Sequence, residues 1–451
     1  MKKNLFIFIS LCYTLNASAQ MCFSPKVAYA VGNNPTSLCH ADFNDDGKMD
    51  LAVANKSGSI SILLGNGAGV FATETEYPCG VLPVSICAAY FNNDTIVDLA
   101  TANAGPWTVT TDTGDGSGAF AIGNGVGANS PYTVTSADFN NDGNTDLAIA
   151  TQYKVIISLG DGEGDFGTVT DFGTGHPYKS IIAGYFNNDT IIDLAMAGGD
   201  NAWILIGNGT GGFGTVTSYP AGTGATSIVS ADFNNDGKMD LATANSFSDN
   251  VSVLIGDGNG GFASPVNFPT GSQPLSIATA DFNADGKKDL AVVNSASVNV
   301  SIFQGDGLGG FSAPQYLAVD SFPNSISIAD FNGDGKEDIA VVAVYSSIDT
   351  GYVDILLNCN TTGINQFAEN NSAIKLFPNP TNGVFNIQLN EAPNTKCNLE
   401  LYNLLAEKIY SVNNLQPQSV TEIKPGKLSA GIYVVKIFVA DKVYWQKMIV
   451  D

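Results

Sequence analysis

The chain predicts an all-β fold, a wheel of seven four-stranded blades followed by a small β-sandwich, and three observations carry that reading. A nine-residue motif, Asp42-Phe-Asn-Asp-Asp-Gly-Lys-Met-Asp50, recurs from Tyr90, Asp138, Tyr185, Asp232, Asp281 and Asp330, at spacings of 48, 48, 47, 47, 49 and 49 residues. A fixed period of this size means a propeller, solenoid or array of one supersecondary unit. Within each period the apolar runs are four to six residues long, β-branched-rich and bounded by Gly, Asn and Pro, which is strand grammar. No window sustains a helical apolar period, and a wheel of four-stranded blades is the all-β solution for such a repeat.

The N-terminus reads as a secretory signal over residues 1–19. Lys2 and Lys3 supply the positive region, Leu5 to Leu15 the apolar core, and Ala17-Ser18-Ala19 a small-residue cleavage site, so the mature chain is expected to start at Gln20. The apolar run is too short to span a bilayer, and no later segment approaches the necessary length. A lipoprotein would want Cys directly after the small residues; Cys22 comes too late.

The repeats occupy residues 21–360. In the sixth copy Pro274–Ala280 is a strand that enters the loop Asp281–Asp289, Leu290–Val293 leaves it, Val298–Gln304 is third and Gln315–Val319 outermost. The seventh copy ends at Leu357-Asn358 with no fourth strand, whereas Val27–Val31 resembles one. Residues 26–31 are therefore expected to complete blade seven and remove the open edge of the ring. Cys22 and Cys359 then flank the closure, which makes a disulfide between them a candidate. Cys39 and Cys87 share one repeat position and read either as small buried hydrophobes or as a pair. Cys79 and Cys397 have no evident place.

The motif carries oxygen-bearing side chains at its first, third, fifth and ninth positions and Gly at the sixth. Alternating oxygen donors on a tight loop suit a hard cation such as Ca²⁺, and the glycine permits the necessary backbone reversal. Five copies are intact. The first has Asp42, Asn44, Asp46 and Asp50, and the third has Asp138, Asn140, Asp142 and Asp146. The fifth has Asp232, Asn234, Asp236 and Asp240, the sixth Asp281, Asn283, Asp285 and Asp289, and the seventh Asp330, Asn332, Asp334 and Asp338. In the copies at Tyr90 and Tyr185 the first Asp is Tyr and the glycine is Thr, which should abolish or greatly weaken binding. The expectation is about five structural Ca²⁺ ions.

The unit "ADFNxDGKxDLAVAN…VSVLLGxGxGGF" resembles the FG-GAP/VCBS-type repeat of integrin α-like β-propellers. The resemblance implies calcium ligation by the residues just named, together with the backbone carbonyls of Lys48, Asn144, Lys238, Lys287 and Lys336. The turns Gly207–Gly212, Gly256–Gly261 and Gly305–Gly310 match GxGxxG, but none opens a helix, so a dinucleotide site is rejected.

Antiparallel succession puts the calcium loops and the third-to-fourth turns on one face. The opposite face carries variable loops, where Trp107, Tyr132, Tyr153, Lys154, His176, Tyr178 and Lys179 could stack a sugar ring or grip a peptide. The alternative is that these are ordinary scattered surface aromatics.

Residues 361–372 are polar and aperiodic, a linker. Over 373–451 alternating apolar strands suggest a small Ig-like β-sandwich. Its Pro378-Asn379-Pro380…Gly383 start, "LYNLLAEKI" middle and "LSAGIYVVKI" end resemble the type A C-terminal sorting domain of the type IX secretion system. That resemblance implies export by that machinery and release or anchoring at the outer cell surface.

The net charge of −24 is largely loop carboxylate and argues against nucleic acid or anionic membrane as partner. No HExxH, GxSxG or zinc-spaced Cys/His cluster appears. The acid at the ninth position runs straight into a strand, which excludes an EF-hand. The expectation is an exported calcium-binding recognition or adhesion module for an extracellular glycan or protein. The alternatives are a propeller lyase or hydrolase, with Tyr153, His176 and Tyr178 as its only catalytic candidates, and a ligand-free scaffold.

Overall fold

The computed structural model describes residues 21–359 apart from 174 and 345–349, and residues 374–450 with breaks at 382, 390–396, 404–407, 416–420, 430 and 440–441. The expected signal segment 1–19 and linker 361–372 lie outside the described residues. Contacts divide the chain into two units, Met1–Asn360 and Thr361–Asp451. Among the described residues there is no helix.

Among its described residues the first unit holds seven antiparallel four-stranded sheets. Their inner strands are Pro35–Ala41, Pro83–Ala89, Pro131–Ala137, Ser180–Gly184, Ala225–Ala231, Pro274–Ala280 and Ser325–Ala329. Each inner strand packs on the next, and Ser325–Ala329 packs on Pro35–Ala41, so the contacts close on themselves. Serine hydroxyls staple neighbours: Ile86 N–H donates to Ser37 Oγ (3.3 Å), Val134 to Ser85 (3.3 Å) and Ile277 to Ser227 (3.3 Å).

The second strands explain why these segments cannot fold singly. Asp50–Asn55, Asp98–Asn103, Asp146–Thr151, Asp193–Gly198, Asp240–Asn245 and Asp289–Asn294 are buried at every position. A strand loses both faces to solvent exclusion only when a neighbouring sheet covers each one. The core is accordingly divided into seven clusters, each drawn from two adjacent sheets; one joins Phe43, Ile60 and Ile62 to Ile86, Leu99 and Phe120. Each such fully buried aliphatic or aromatic side chain contributes roughly 1.5–3 kcal/mol.

Val27–Val31 lies antiparallel on Gly351–Leu356 and supplies the outer strand of the seventh sheet. Cys22 and Cys359 are disulfide-bonded with Cα atoms 5.1 Å apart, and Lys26 pairs with Asp354 (3.1 Å) and Asp320. The first and last described segments of the unit are thus tied at one seam. The outer strands of sheets one, four, five and six have four residues, whereas those of sheets two and three, Phe120–Gly127 and Phe166–Gly173, have eight.

The second unit contains a sheet of Ile374–Phe377, Phe385–Leu389 and Thr421–Ile423, and a four-stranded sheet of Cys397–Tyr402, Lys408–Leu415, Gly431–Val439 and Lys442–Val450. Leu376, Phe385, Ile387 and Ile423 from the first share one cluster with Leu399, Val435, Ile437 and Met448 from the second. Cys397 is a buried member of that cluster.

Candidate functional site

Each intact loop curls on itself through its own oxygens. In the first, Asp46 N–H donates to Asp42 Oδ1 (3.1 Å) and Asn44 Oδ1 (3.1 Å), Gly47 N–H to Asp42 Oδ2 (2.6 Å) and Lys48 N–H to Asp46 Oδ1 (3.1 Å). The same four bonds recur in the loops that begin at Asp138, Asp232, Asp281 and Asp330. Gly47, Gly143, Gly237, Gly286 and Gly335 have φ between 78° and 90°, a left-handed turn that favours glycine. Thr95 and Thr190 stand there in the second and fourth repeats, and only the bonds from positions five and seven survive.

The third-position amides differ from the sequence reading, which gives them only as cation ligands. The Oδ1 atoms of Asn140, Asn234, Asn283 and Asn332 are already engaged by the turn: each accepts the position-five N–H, from Asp142, Asp236, Asp285 and Asp334, at 2.9 Å. Asn140 also donates from Nδ2 to Asp142 Oδ2 (2.9 Å). Asn283 is buried, while Asn44, Asn140, Asn234 and Asn332 are half-buried. An amide oxygen has two lone pairs, so a cation would share these oxygens with the backbone.

The oxygens of positions one and three thus meet at the position-five N–H, and that of position five lies on the same short loop, a donor set of the hard type Ca²⁺ takes. The Lys side chain of position seven meets the position-five carboxylate in four loops, at 3.0 Å for Lys48–Asp46 and 2.9 Å for Lys336–Asp334, and at 3.6 Å for Lys238–Asp236 and Lys287–Asp285. Among the described residues no three acidic, histidine or cysteine side chains are grouped as a metal site by themselves. A cation here would need the Asn oxygens, the backbone carbonyls of Lys48, Asn144, Lys238, Lys287 and Lys336, and water to complete its shell.

Beyond the ligand role expected of it, the ninth-position Asp holds a backbone clip that sequence reasoning missed. Asp50 is fully buried; its Oδ2 accepts Phe43 N–H (3.0 Å) and its Oδ1 accepts Gly65 N–H (2.7 Å). Asp146, Asp240, Asp289 and Asp338 each accept two such bonds. So do Asp98 and Asp193 in the two degenerate repeats. The clip joins the acidic loop to the segment that follows the third strand in every described sheet of the unit, whether or not that loop is intact. Burial pushes Asp50, Asp146 and Asp338 up to about 6 and Asp289 up to about 7, and raises Asp98, Asp193 and Asp240. The persistence of Asp98 and Asp193 beside Tyr90 and Tyr185 was the available signal.

Third-to-fourth turns bond across sheets on the same face: Gly118 N–H donates to Phe43 O (3.0 Å), Gly211 to Phe139 (3.0 Å) and Gly309 to Phe233 (3.0 Å). Between the loops of repeats seven and one lies a cleft of about 550 Å³ lined by His40, Lys48, Asn66, Asp330 and Glu337. His40 Nδ1 is 2.7 Å from Ser327 Oγ, and burial lowers its pKa. His40 is thus a packed neighbour of the loop.

On the opposite face Trp107 is 53% exposed and Tyr153 60%. Tyr132 is half-buried beneath Lys179, whose Nζ sits 3.8 Å from the ring centroid. His176 is exposed and stacks on Trp203 (4.2 Å between centroids). Tyr178 corrects the sequence reading: it is fully buried, packed with Ile181, Met196 and Trp203 between sheets three and four. Its position equals the buried Pro35, Pro83 and Pro131 of other repeats, so it can neither meet a ligand on the surface nor act as a catalytic tyrosine there.

Val81, Leu82, Phe247 and Phe322 are exposed on this face and were missed. Leu82, Trp107, Val298 and Phe322 adopt φ of 56°, 60°, 54° and 49°, a conformation that costs a non-glycine residue roughly 1–2 kcal/mol. Equivalent positions in other repeats hold Asn34, Ser130, Gln273, Asp249 or Gly58.

The profile of the FG-GAP-like repeat family matches residues 42–101, 138–196, 185–243, 233–292 and 281–341, and that of a secretion system C-terminal sorting domain matches residues 375–451. A search of curated proteins finds no match. Among solved structures, the chain is similar to crystal structures of BBS1N in complex with ARL6DN, soaked with lead or with mercury. Each is 14% identical and covers 75% of this chain and 97% of that one, with TM-scores of 0.51 and 0.52. A structure of an Agrocybe aegerita lectin that recognises non-reducing terminal N-acetylglucosamine is 17% identical, covering 69% of this chain and 86% of that one at a TM-score of 0.47. At 14% identity the first two speak to the fold alone, a propeller-like array of repeated four-stranded sheets.

Proposed function

The chain belongs to the FG-GAP-like repeat family and ends in a type IX secretion system sorting domain, and from that premise we propose that it is an exported recognition module. Its first unit is a seven-bladed β-propeller whose ring is closed by Val27–Val31, and its second an Ig-like β-sandwich that addresses the chain to the secretion machinery. Once exported, the propeller is released or held at the outer cell surface, where it adheres to a glycan or protein.

Ca²⁺ in five loops is part of this proposal. The observation that supports it is the contrast between loops: five keep the full set of oxygen-bearing side chains, the left-handed glycine and the same internal bonds, and two lose the first carboxylate and the glycine together. Extracellular modules tolerate weak sites, with Kd of about 10⁻⁴–10⁻³ M, because ambient Ca²⁺ is high. Calcium acts here on stability, pinning the first-to-second connection of each blade. Binding of labelled glycans and matrix proteins to the exported chain, in Ca²⁺ and in chelator with product analysis, tests the reading. Calcium-supported binding without product is the expected result; turnover of a bound polysaccharide would replace it with an enzyme.

A further inference from the structure

The departures from the repeat concentrate in one sector. Repeats two and four lack the intact acidic loop, and sheets two and three have outer strands twice the usual length. In the same sector the face opposite the acidic loops carries Val81, Leu82, Trp107 and Tyr153, exposed by 61, 45, 53 and 60%. The loops bearing the first three meet: Gly105 N–H donates to Val81 O (3.0 Å), Ala104 N–H to Leu82 O (3.0 Å) and Ala128 N–H to Trp107 O (2.7 Å).

Leu82 and Trp107 are doubly unfavourable where they stand. They hold left-handed backbone that their sister positions assign to Asn34, Ser130, Gln273, Asp249 or Gly58, and they present apolar surface to water. Strain of this kind, kept twice in one repeat where Asn, Ser or Gly would relieve it, points to use. Val298 and Phe322 share that backbone but stand singly on repeats six and seven, and Phe247 on repeat five is exposed without it.

Charge narrows the ligand. The cations of this sector are already engaged, Lys154 by Asp171 (2.5 Å) and Lys179 by the Tyr132 ring (3.8 Å). Asp112 is buried away from the surface. What remains facing solvent is aromatic and aliphatic surface flanked by neutral Asn129, Ser130 and Gln152. Such a surface matches a ligand with apolar C–H faces, neutral hydroxyls and no net charge.

We infer that the recognition site lies on this sector, centred on Leu82, Trp107 and Tyr153, and that its ligand is an uncharged glycan. The inference rests on the recognition reading above. The test uses the exported chain against a neutral β-glucan, a galactomannan, anionic alginate and a panel of matrix proteins, with Trp107→Asn, Tyr153→Ala and a Phe247→Ala control. Asparagine accepts the left-handed backbone, so Trp107→Asn should fold at least as stably as the parent.

The neutral glycans should bind in a salt-insensitive manner, weakened about tenfold or more by Trp107→Asn and Tyr153→Ala and unchanged by Phe247→Ala. Preference for alginate or a protein would overturn the ligand class. Neutral-glycan binding untouched by both sector variants would overturn the location. Either result leaves the recognition reading standing, whereas silence towards every glycan and protein would overturn both.

Discussion

Asp193→Ala separates the two jobs of the ninth-position carboxylate. Asp193 lies in a repeat whose loop has Tyr185 and Thr190 in place of the first Asp and the glycine, so loss of a metal ligand should contribute little there. Its carboxylate is fully buried and accepts Phe186 N–H (2.9 Å) and Gly207 N–H (2.8 Å). Alanine leaves two buried donors without acceptors, at about 1–3 kcal/mol each. Relief of the desolvated carboxylate offsets part of this, so a net loss of about 3 kcal/mol is expected. The assay is urea unfolding in chelator, beside Asp189→Ala, which removes the exposed fifth-position carboxylate of the same loop and should cost no more than about 0.5 kcal/mol. Asp193→Asn should fall between, because an amide offers an acceptor to one donor and its own N–H to the other. Equal, small losses for Asp193→Ala and Asp189→Ala would refute the clip and leave the residue a vestigial ligand.

Further outcomes follow from the same geometry. Asp236→Ala should remove one Ca²⁺ from the calorimetric stoichiometry and lower stability in Ca²⁺ by about 1–2 kcal/mol for a site near tenfold saturation, with a smaller effect in chelator; unchanged stoichiometry would exclude that loop. Asp112 takes a position held by Leu63, Leu205, Leu254 and Phe303 in other sheets, finds no hydrogen-bond partner among the described residues, and is pushed up to about 7 by burial. Its folded pKa exceeds its unfolded one, so stability should fall as pH rises from about 4 to 7, by up to about 4 kcal/mol, and level off above. Asp112→Leu should remove its share of that slope, leaving the part due to the raised ninth-position carboxylates, and stabilise the protein at pH 8, as read by denaturant midpoints; an unchanged slope would rule the residue out. Cys22→Ser with Cys359→Ser opens a loop whose ends are 337 residues apart, and should cost up to about 6 kcal/mol on the chain-entropy account, seen as a lowered midpoint that reductant no longer shifts.

The ring was legible because its period is enforced by packing. Each second strand is covered on both faces, so the apolar run that precedes Asn55 must recur before Asn103, Asn245 and Asn294, and the eye finds it. The missing outer strand after Leu357 and the spare one at Val27–Val31 could be matched for the same reason. The turn of each acidic loop was legible too, but not what its amides do: spacing marks Asn140, Asn234, Asn283 and Asn332 as expected cation ligands without showing that the turn itself already uses them. Nor could periodicity tell the direction of a departure. Tyr178 and Trp107 are both aromatic residues in variable connections, yet one is core and the other surface. Register decides between them: Tyr178 aligns with Pro35, Pro83, Pro131, Ala225 and Pro274, all buried, while Trp107 aligns with Gly58 and Asp249 at a turn tip that demands left-handed backbone. The same alignment places Asp112 among buried leucines and Leu82 beside half-buried Asn34 and Ser130 and exposed Gln273. A substitution that puts a polar group into a shared interface weakens the ring, and one that puts a bulky group on a strained tip gains the ring nothing. In a repeat protein the second kind is the better guide to function, because the scaffold itself supplies no reason to keep it.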